Sequence, residues 1–363
     1  MIERGLAWVA LILALLAAVP VRAADEPAAM VTADFAFVSG GRTLSGVLDQ
    51  PAAGPARALV IFVHGYGPTD VRGWHLFEDL RTRFAALGIA SLVWDKPGQG
   101  RSEGTFDIDQ PVGESAQEVL DAAAELRRRA VPGAQRIGLW SISRGGWIAP
   151  LAMARDPGIG FWISVSGVDA LETFPYMLEQ NLRIEGRSDA EAAALAGELV
   201  RGFAITSQGG SLADYLAATE RLRHDPFMLR FTGGSPEVDP ASFAEQQRRF
   251  RSGEAVVDPA TGLMVYVPGF DALLSGLEVP VLALFGERDR NVDWRRTRAL
   301  YARTIGANPA ASLTVRTFPD ANHNLHRAAT GGLREMEEMT ERVPSEGYYE
   351  AQVEWLRARV LGE

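Results

Sequence analysis

The 363-residue chain contains no cysteine. That excludes disulfides, thiolate metal sites and lipid attachment at a cysteine, so stability must come from the core alone. The length permits it, because a chain of about 300 residues buries about 75% of its unfolded surface. Basic runs are also missing. With 36 Lys and Arg against 46 Asp and Glu, the formal charge is −10. Neither nucleic acid nor an anionic membrane is expected as a partner. No phosphate-binding glycine loop, nucleotide fingerprint or paired metal ligands stand out, so neither a cofactor nor a metal is expected. Internal repeats and low-complexity tracts are absent too.

Long apolar runs are confined to one place. Arg4 precedes the run Leu6 to Val19, which Pro20 breaks before "VRAADE". The run is short for a membrane-spanning helix, and Val21 and Ala23 satisfy the small-residue rule for cleavage. The pattern predicts a signal peptide over residues 1–23 and an exported protein, periplasmic or secreted; an uncleaved anchor is the alternative. No later run reaches the roughly 18 apolar residues of a span, so no stable membrane insertion is expected once the leader is removed.

What is present is a rhythm. "ADFAFVSGGRTLSGVLDQP" alternates around Gly40-Gly41, as a β-hairpin does. "ALVIFV", "IASLVW", "RIGLWS" and "GFWISVSG" are short apolar runs of the kind that form buried parallel strands. Helical patterns separate them: "WHLFEDLRTRFAALG", "GESAQEVLDAAAELRRRA" and "RGGWIAPLAMA". Alternation of this kind predicts an α/β fold with a doubly wound, mostly parallel sheet. From 168 to 276 buried strand runs cease, and helical stretches separated by Gly/Pro loops take over. "VPVLALFGERD" and "SLTVRTFPDANH" then restore the rhythm, and "YYEAQVEWLRARVLG" closes it as a helix. The expected organisation is a core over 24–167, a mainly helical cap over 168–276, and the rest of the core over 277–363.

Ligands of open parallel sheets sit beyond the carboxyl ends of the strands. Those ends carry His64-Gly65-Tyr66-Gly67, Asp95, the serine pair Ser141 and Ser143, "GERDRNVD", and "PDANHNLH". Serine, acid and histidine thus follow in that chain order. Between the serines, sterics decide. A nucleophile on a tight strand-to-helix turn needs small residues two before and two after it. Ser143 has Ser141 and Gly145 there; Ser141 would have Leu139. Ser143 is therefore the expected nucleophile, Ser141 stands where the G-x-S-x-G pattern has glycine, and the Arg144 N–H is one expected oxyanion donor.

These motifs resemble the α/β-hydrolase superfamily, in particular exported or periplasmic serine esterases with "D-K-R-G-x-G-x-S" and "GGWIAP" segments. The corresponding stretches are "WDKPGQGRSEG" and "SRGGWIAP". The resemblance spans nearly the whole chain after the leader. It implies the α/β-hydrolase fold and a Ser-His-Asp triad of Ser143, His323 and Asp289, the last selected by G-x-x-D counted from Gly286. It also implies Tyr66 as the second oxyanion donor and hydrolysis of a small-molecule carboxylic ester through an acyl-enzyme. His326 is the alternative base. Asp293 reads as the cap of the helix that starts near Trp294. The segment Phe174 to Leu178 reads as cap core, with an acyl-site lining as the alternative. Two rival functions stay open: a serine peptidase, aminopeptidase-like, on the same fold, and a catalytically silent binding protein. Oligomeric state is not legible from the sequence.

Overall fold

The computed structural model describes residues 30–363; the leader assigned to residues 1–23 lies outside them. Ten strands follow in chain order: β1 Met30–Ser39, β2 Arg42–Pro51, β3 Ala58–Val63, β4 Ile89–Trp94, β5 Ile137–Ile142, β6 Ile159–Val165, β7 Val256–Val257, β8 Met264–Val265, β9 Pro280–Gly286 and β10 Ser312–Phe318. Eight form one sheet in the order β1-β2-β4-β3-β5-β6-β9-β10, and β7 and β8 pair separately. The β1–β2 and β2–β4 pairings are antiparallel, and every other pairing in the large sheet is parallel. Gly40 and Gly41, at φ 55° and 75°, make the tight β1–β2 turn, a left-handed pair that glycine adopts without steric cost.

Helices cover both faces. They are α1 Glu78–Ala86, α2 Val112–Arg128, α3 Gly145–Arg155, α4 Phe174–Ile184, α5 Asp189–Ser207, α6 Leu212–Ala218, α7 Glu220–Arg223, α8 Pro226–Phe231, α9 Pro240–Ser252, α10 Phe270–Ser275, α11 Trp294–Arg303, α12 Leu333–Glu338 and α13 Tyr348–Trp355. Strands β3 and β4 are buried along their full length, as parallel strands covered on both faces must be. Alternate residues then feed opposite layers. Leu59, Ile61 and Val63 of β3 pack with Val119, Ala123, Trp147, Phe270, Leu300 and Tyr301. Val60 and Phe62 pack with Leu80, Phe84, Trp140, Trp355 and Leu356. Each such side chain contributes about 1.5–3 kcal/mol on burial.

Two elements start or break differently from the sequence pattern. The apolar spacing from Trp74 predicts helix from that residue, but His75 and Phe77 take φ of 49° and 57°, and α1 begins only at Glu78. The stretch 211–224 divides at Thr219 into α6 and α7.

Between β6 and β9 the chain forms α4 to α10 and the β7–β8 hairpin. Leu178, Leu182, Leu195, Leu199 and Phe227 make an apolar cluster there, and Leu333 and Met336 of α12 join it. Phe270 and Leu274 of α10 belong instead to the layer against the sheet. Ser188 and Glu191 form a reciprocal capping box at the start of α5. Among the described residues no helix is long and apolar enough to cross a membrane.

Candidate active site

The site is built where β5 runs into α3. Ser143 sits on that turn at φ 55°, and α3 begins two residues later at Gly145. Such a φ is uncommon for a residue with a side chain. The turn is tight because its flanks are small. A Cβ added to Gly145 would lie 2.9 Å from the Val63 carbonyl oxygen and 3.1 Å from Ser141 Cβ. Ser141 and Gly145 therefore face each other beneath Ser143, as the two-before, two-after argument requires. Ser141 also accepts a hydrogen bond at Oγ from Trp162 Nε1, at 2.8 Å in the buried core. Glycine in its place could not make that bond.

Strand β3 lies beside β5, with Val63 opposite Ser141. The His64-Gly65-Tyr66-Gly67 turn that follows β3 thus reaches the serine turn. A Cβ on Gly65 would stand 3.2 Å from Ser143 Cβ. Among the described residues, neither the Tyr66 nor the Arg144 backbone N–H donates to a protein acceptor. The Arg144 side chain turns away from the serine, donating to the Gln110 carbonyl and, at 3.3 Å, to Ser115 Oγ. Its guanidinium lies 5.3 Å from the centre of the Tyr66 ring. The His64 ring is buried, with Nε2 2.6 Å from the Trp94 carbonyl oxygen to which it donates. Burial, then the charge of Lys96, pushes its pKa down to about 3, so it is a neutral strut in the turn.

The acid and the histidine come from the ends of β9 and β10. His323 Nδ1 lies 2.8 Å from Asp289 Oδ2, and both residues are buried. The other Asp289 oxygen accepts from the Asn291 and Val292 N–H groups at 2.8 and 2.9 Å. A carboxylate held this way only accepts, so the ring proton sits on Nδ1, and Nε2 is left with its lone pair. Asp293 faces elsewhere and caps α11, accepting from the Arg295 and Arg296 N–H groups at 3.2 and 3.3 Å. His326 lies in a bridge with Pro344, and burial, then the charge of Arg342, pushes its pKa down to about 4.

The serine and histidine loops both bond to the end of β6. The Ser143 N–H donates to the Val165 carbonyl at 3.1 Å. The next residue, Ser166, donates from Oγ to the His323 carbonyl at 2.7 Å. Ser143 and His323 thus flank one strand end, although no hydrogen bond joins the Ser143 hydroxyl to the His323 ring.

Three features of the site carry no signal in the sequence. One is Ser166, buried at φ 44°. Another is the hydrogen bond from Tyr266, beyond the β7–β8 hairpin, to the buried Glu172 that leads into α4. The third is the reach of Lys96 to the turn after β3; the residue itself stands in the "WDKPGQGRSEG" stretch, but no spacing there marks that contact. Asp95, its neighbour, serves the fold by accepting from the Val71 N–H at 2.7 Å. In α4, Leu178 packs in the apolar cluster with Leu182 and Leu195, whereas the Tyr176 hydroxyl donates to the Asp289 carbonyl at 3.3 Å. Among the described residues no cluster of three or more His, Asp or Glu is arranged to hold a metal ion.

Residues 60–334 match the model of the alpha/beta hydrolase family. The chain belongs to the alpha/beta hydrolase family. The esterase Pf2001 of Pyrococcus furiosus superposes with a TM-score of 0.52 at 15% identity, over 91% of this chain and 92% of that one. Est1E of Butyrivibrio proteoclasticus, solved with ferulic acid, gives 0.50 at 17% identity, over 90% and 98%. At those identities the likeness speaks for the alpha/beta hydrolase fold alone. A thiohydrolase of Arthrinium phaeospermum is 29% identical over 127 residues, which span 34% of this chain and 39% of that protein.

Proposed function

We propose that this member of the alpha/beta hydrolase family is a serine carboxylesterase using Ser143, His323 and Asp289. The observation that carries the reading is the buried 2.8 Å hydrogen bond from His323 Nδ1 to Asp289, which leaves Nε2 as the base. Ser143, on its left-handed turn at the neighbouring strand end, supplies the nucleophile. Its Oγ attacks the ester carbonyl carbon while Nε2 takes the hydroxyl proton. The oxygen of the tetrahedral intermediate carries a negative charge, and the two free N–H groups of Tyr66 and Arg144 are its donors. Collapse expels the alcohol, which receives the proton from His323. Water then enters, gives a proton to Nε2 and attacks the acyl carbon; collapse releases the acid and breaks the bond to Ser143, whose Oγ takes the proton back from His323.

The acylaminoacyl peptidase of Pyrococcus horikoshii, which has a like fold, is covered only over 41% of its length.

The test is labelling by a fluorophosphonate, followed by mass spectrometry of the adduct and turnover of p-nitrophenyl esters of graded acyl length beside thioesters and aminoacyl anilides. The expected result is an adduct on Ser143, its loss in Ser143→Ala, and faster turnover of short esters than of anilides. An adduct on Ser141, or none at all, overturns the mechanism. Anilides as the better substrates would leave the triad standing and overturn the ester assignment.

A further inference from the structure

Lys96 follows β4, the strand that lies beside β3. Its backbone is tied down, the N–H donating to Thr69 Oγ1 at 2.7 Å. Its side chain then reaches across to the turn after β3, where Nζ donates to the Gly65 carbonyl at 2.6 Å and to the Gly67 carbonyl at 2.7 Å. Among the described residues no carboxylate lies within ion-pair distance of this ammonium. Both of its bonds go to main-chain carbonyls of a single turn. Desolvating a lysine is costly, here enough to push its pKa down to about 7, through burial first and then the charge of Arg144, against a smaller pull from Glu118.

The identity of the first carbonyl gives the contact its meaning. Gly65 C=O and Tyr66 N–H belong to one peptide group. In a trans peptide the two point in opposite directions within a rigid plane. Holding the carbonyl on one side therefore aims the N–H on the other. A donor on the carbonyl also polarises the group, which strengthens the N–H as a donor. The bond to Gly67 pins the other end of the turn, whose glycine at φ 88° would otherwise let it swing.

We propose that Lys96 is a positioning residue for the oxyanion hole, clamping the Gly65–Tyr66 peptide so that the Tyr66 N–H faces the oxygen that becomes negative in the transition state. The inference rests on the serine-esterase reading above. Lys96 touches neither substrate nor the reacting atoms and acts through the peptide it holds.

Lys96→Met keeps the stem and removes both donors. The expected result is a fall in kcat of about 10- to 100-fold, less than the loss of a whole oxyanion donor, with KM for a short acyl ester within about two-fold of the parent. An alkylboronic acid provides the discriminating readout, because its boron takes the Ser143 oxygen and its hydroxyl occupies the oxyanion position. Its Kd should weaken by the same factor as kcat, which a merely structural defect would not produce. Lys96→Gln, retaining one amide donor, should fall between the parent and Lys96→Met, and it serves in place of Lys96→Met if that variant does not fold. Unchanged kcat and boronate affinity in the folded variant overturn the clamp, as does a lowered kcat with boronate affinity intact. The two readings fail differently. A parent protein that neither labels at Ser143 nor turns over esters removes both, whereas an active parent matched by Lys96→Met removes only the clamp.

Discussion

Ser141 shows how one residue serves two demands. The turn requires it to be small, because a Cβ at Gly145 would already stand 3.1 Å from its own Cβ. Any longer side chain would force the turn open. Its hydroxyl, however, accepts from Trp162 Nε1 inside the core. Treating Ser141 only as a stand-in for glycine would make Ser141→Gly neutral; the indole partner changes that expectation. Ser141→Ala should destabilise the protein by about 1–3 kcal/mol in urea unfolding, because it orphans a buried donor. Ser141→Gly should cost somewhat more through backbone entropy. Both should still label at Ser143. Stability equal to the parent in Ser141→Ala would mean that Trp162 finds another acceptor.

At the scale of elements, the end of β9 hands two carboxylates to different tasks. Asp289 lies in the loop before α11, fully buried, with one oxygen on His323 and the other on two N–H groups. Asp293 starts α11, half-buried, and caps it. Spacing from Gly286 separates them in the sequence, and the physical reason is the helix. A carboxylate committed to the first N–H groups of α11 cannot also orient an imidazole. Asp293→Ala should therefore cost about 0.5–2 kcal/mol of stability and leave kcat/KM near the parent value. Asp289→Asn should lower kcat by about 10³-fold or more while the protein stays folded, because an amide donor in place of Oδ2 favours the wrong ring tautomer. Urea melts and steady-state kinetics on the two variants separate these outcomes, and reversed phenotypes would exchange the two roles.

Across the whole molecule, two histidines outside the His323–Asp289 pair, one buried and one half-buried, set part of the acid stability. His64 and His326 have pKa values of about 3 and about 4 in the folded protein, below the ordinary 6.5. Both are neutral in the folded state and protonated in the unfolded chain between about pH 4 and 6.5. Unfolding there takes up protons, so their contribution to stability is present above pH 6.5 and is lost as pH falls through this window. Unfolding calorimetry at pH 5, in buffers of different ionisation enthalpy, should show His64→Gln and His326→Gln each taking up about one proton fewer than the parent. Equal uptake would mean that these rings are already charged when folded. The sequence alone determined the rhythm of the sheet, because buried parallel strands are continuous apolar runs and helices have a period of 3.6 residues. It also determined which polar residues stand at strand ends, since chemistry-bearing side chains interrupt that pattern where the strands stop. Local pattern could not register what depends on the neighbouring strand. Lys96 reaches Gly65 only because β4 lies beside β3. Ser166 reaches the His323 carbonyl 157 residues away only because β6 ends between the serine and histidine loops. Tertiary structure decided these contacts, because hydrogen bonds across strand order depend on which strands become neighbours, and no spacing along the chain encodes that.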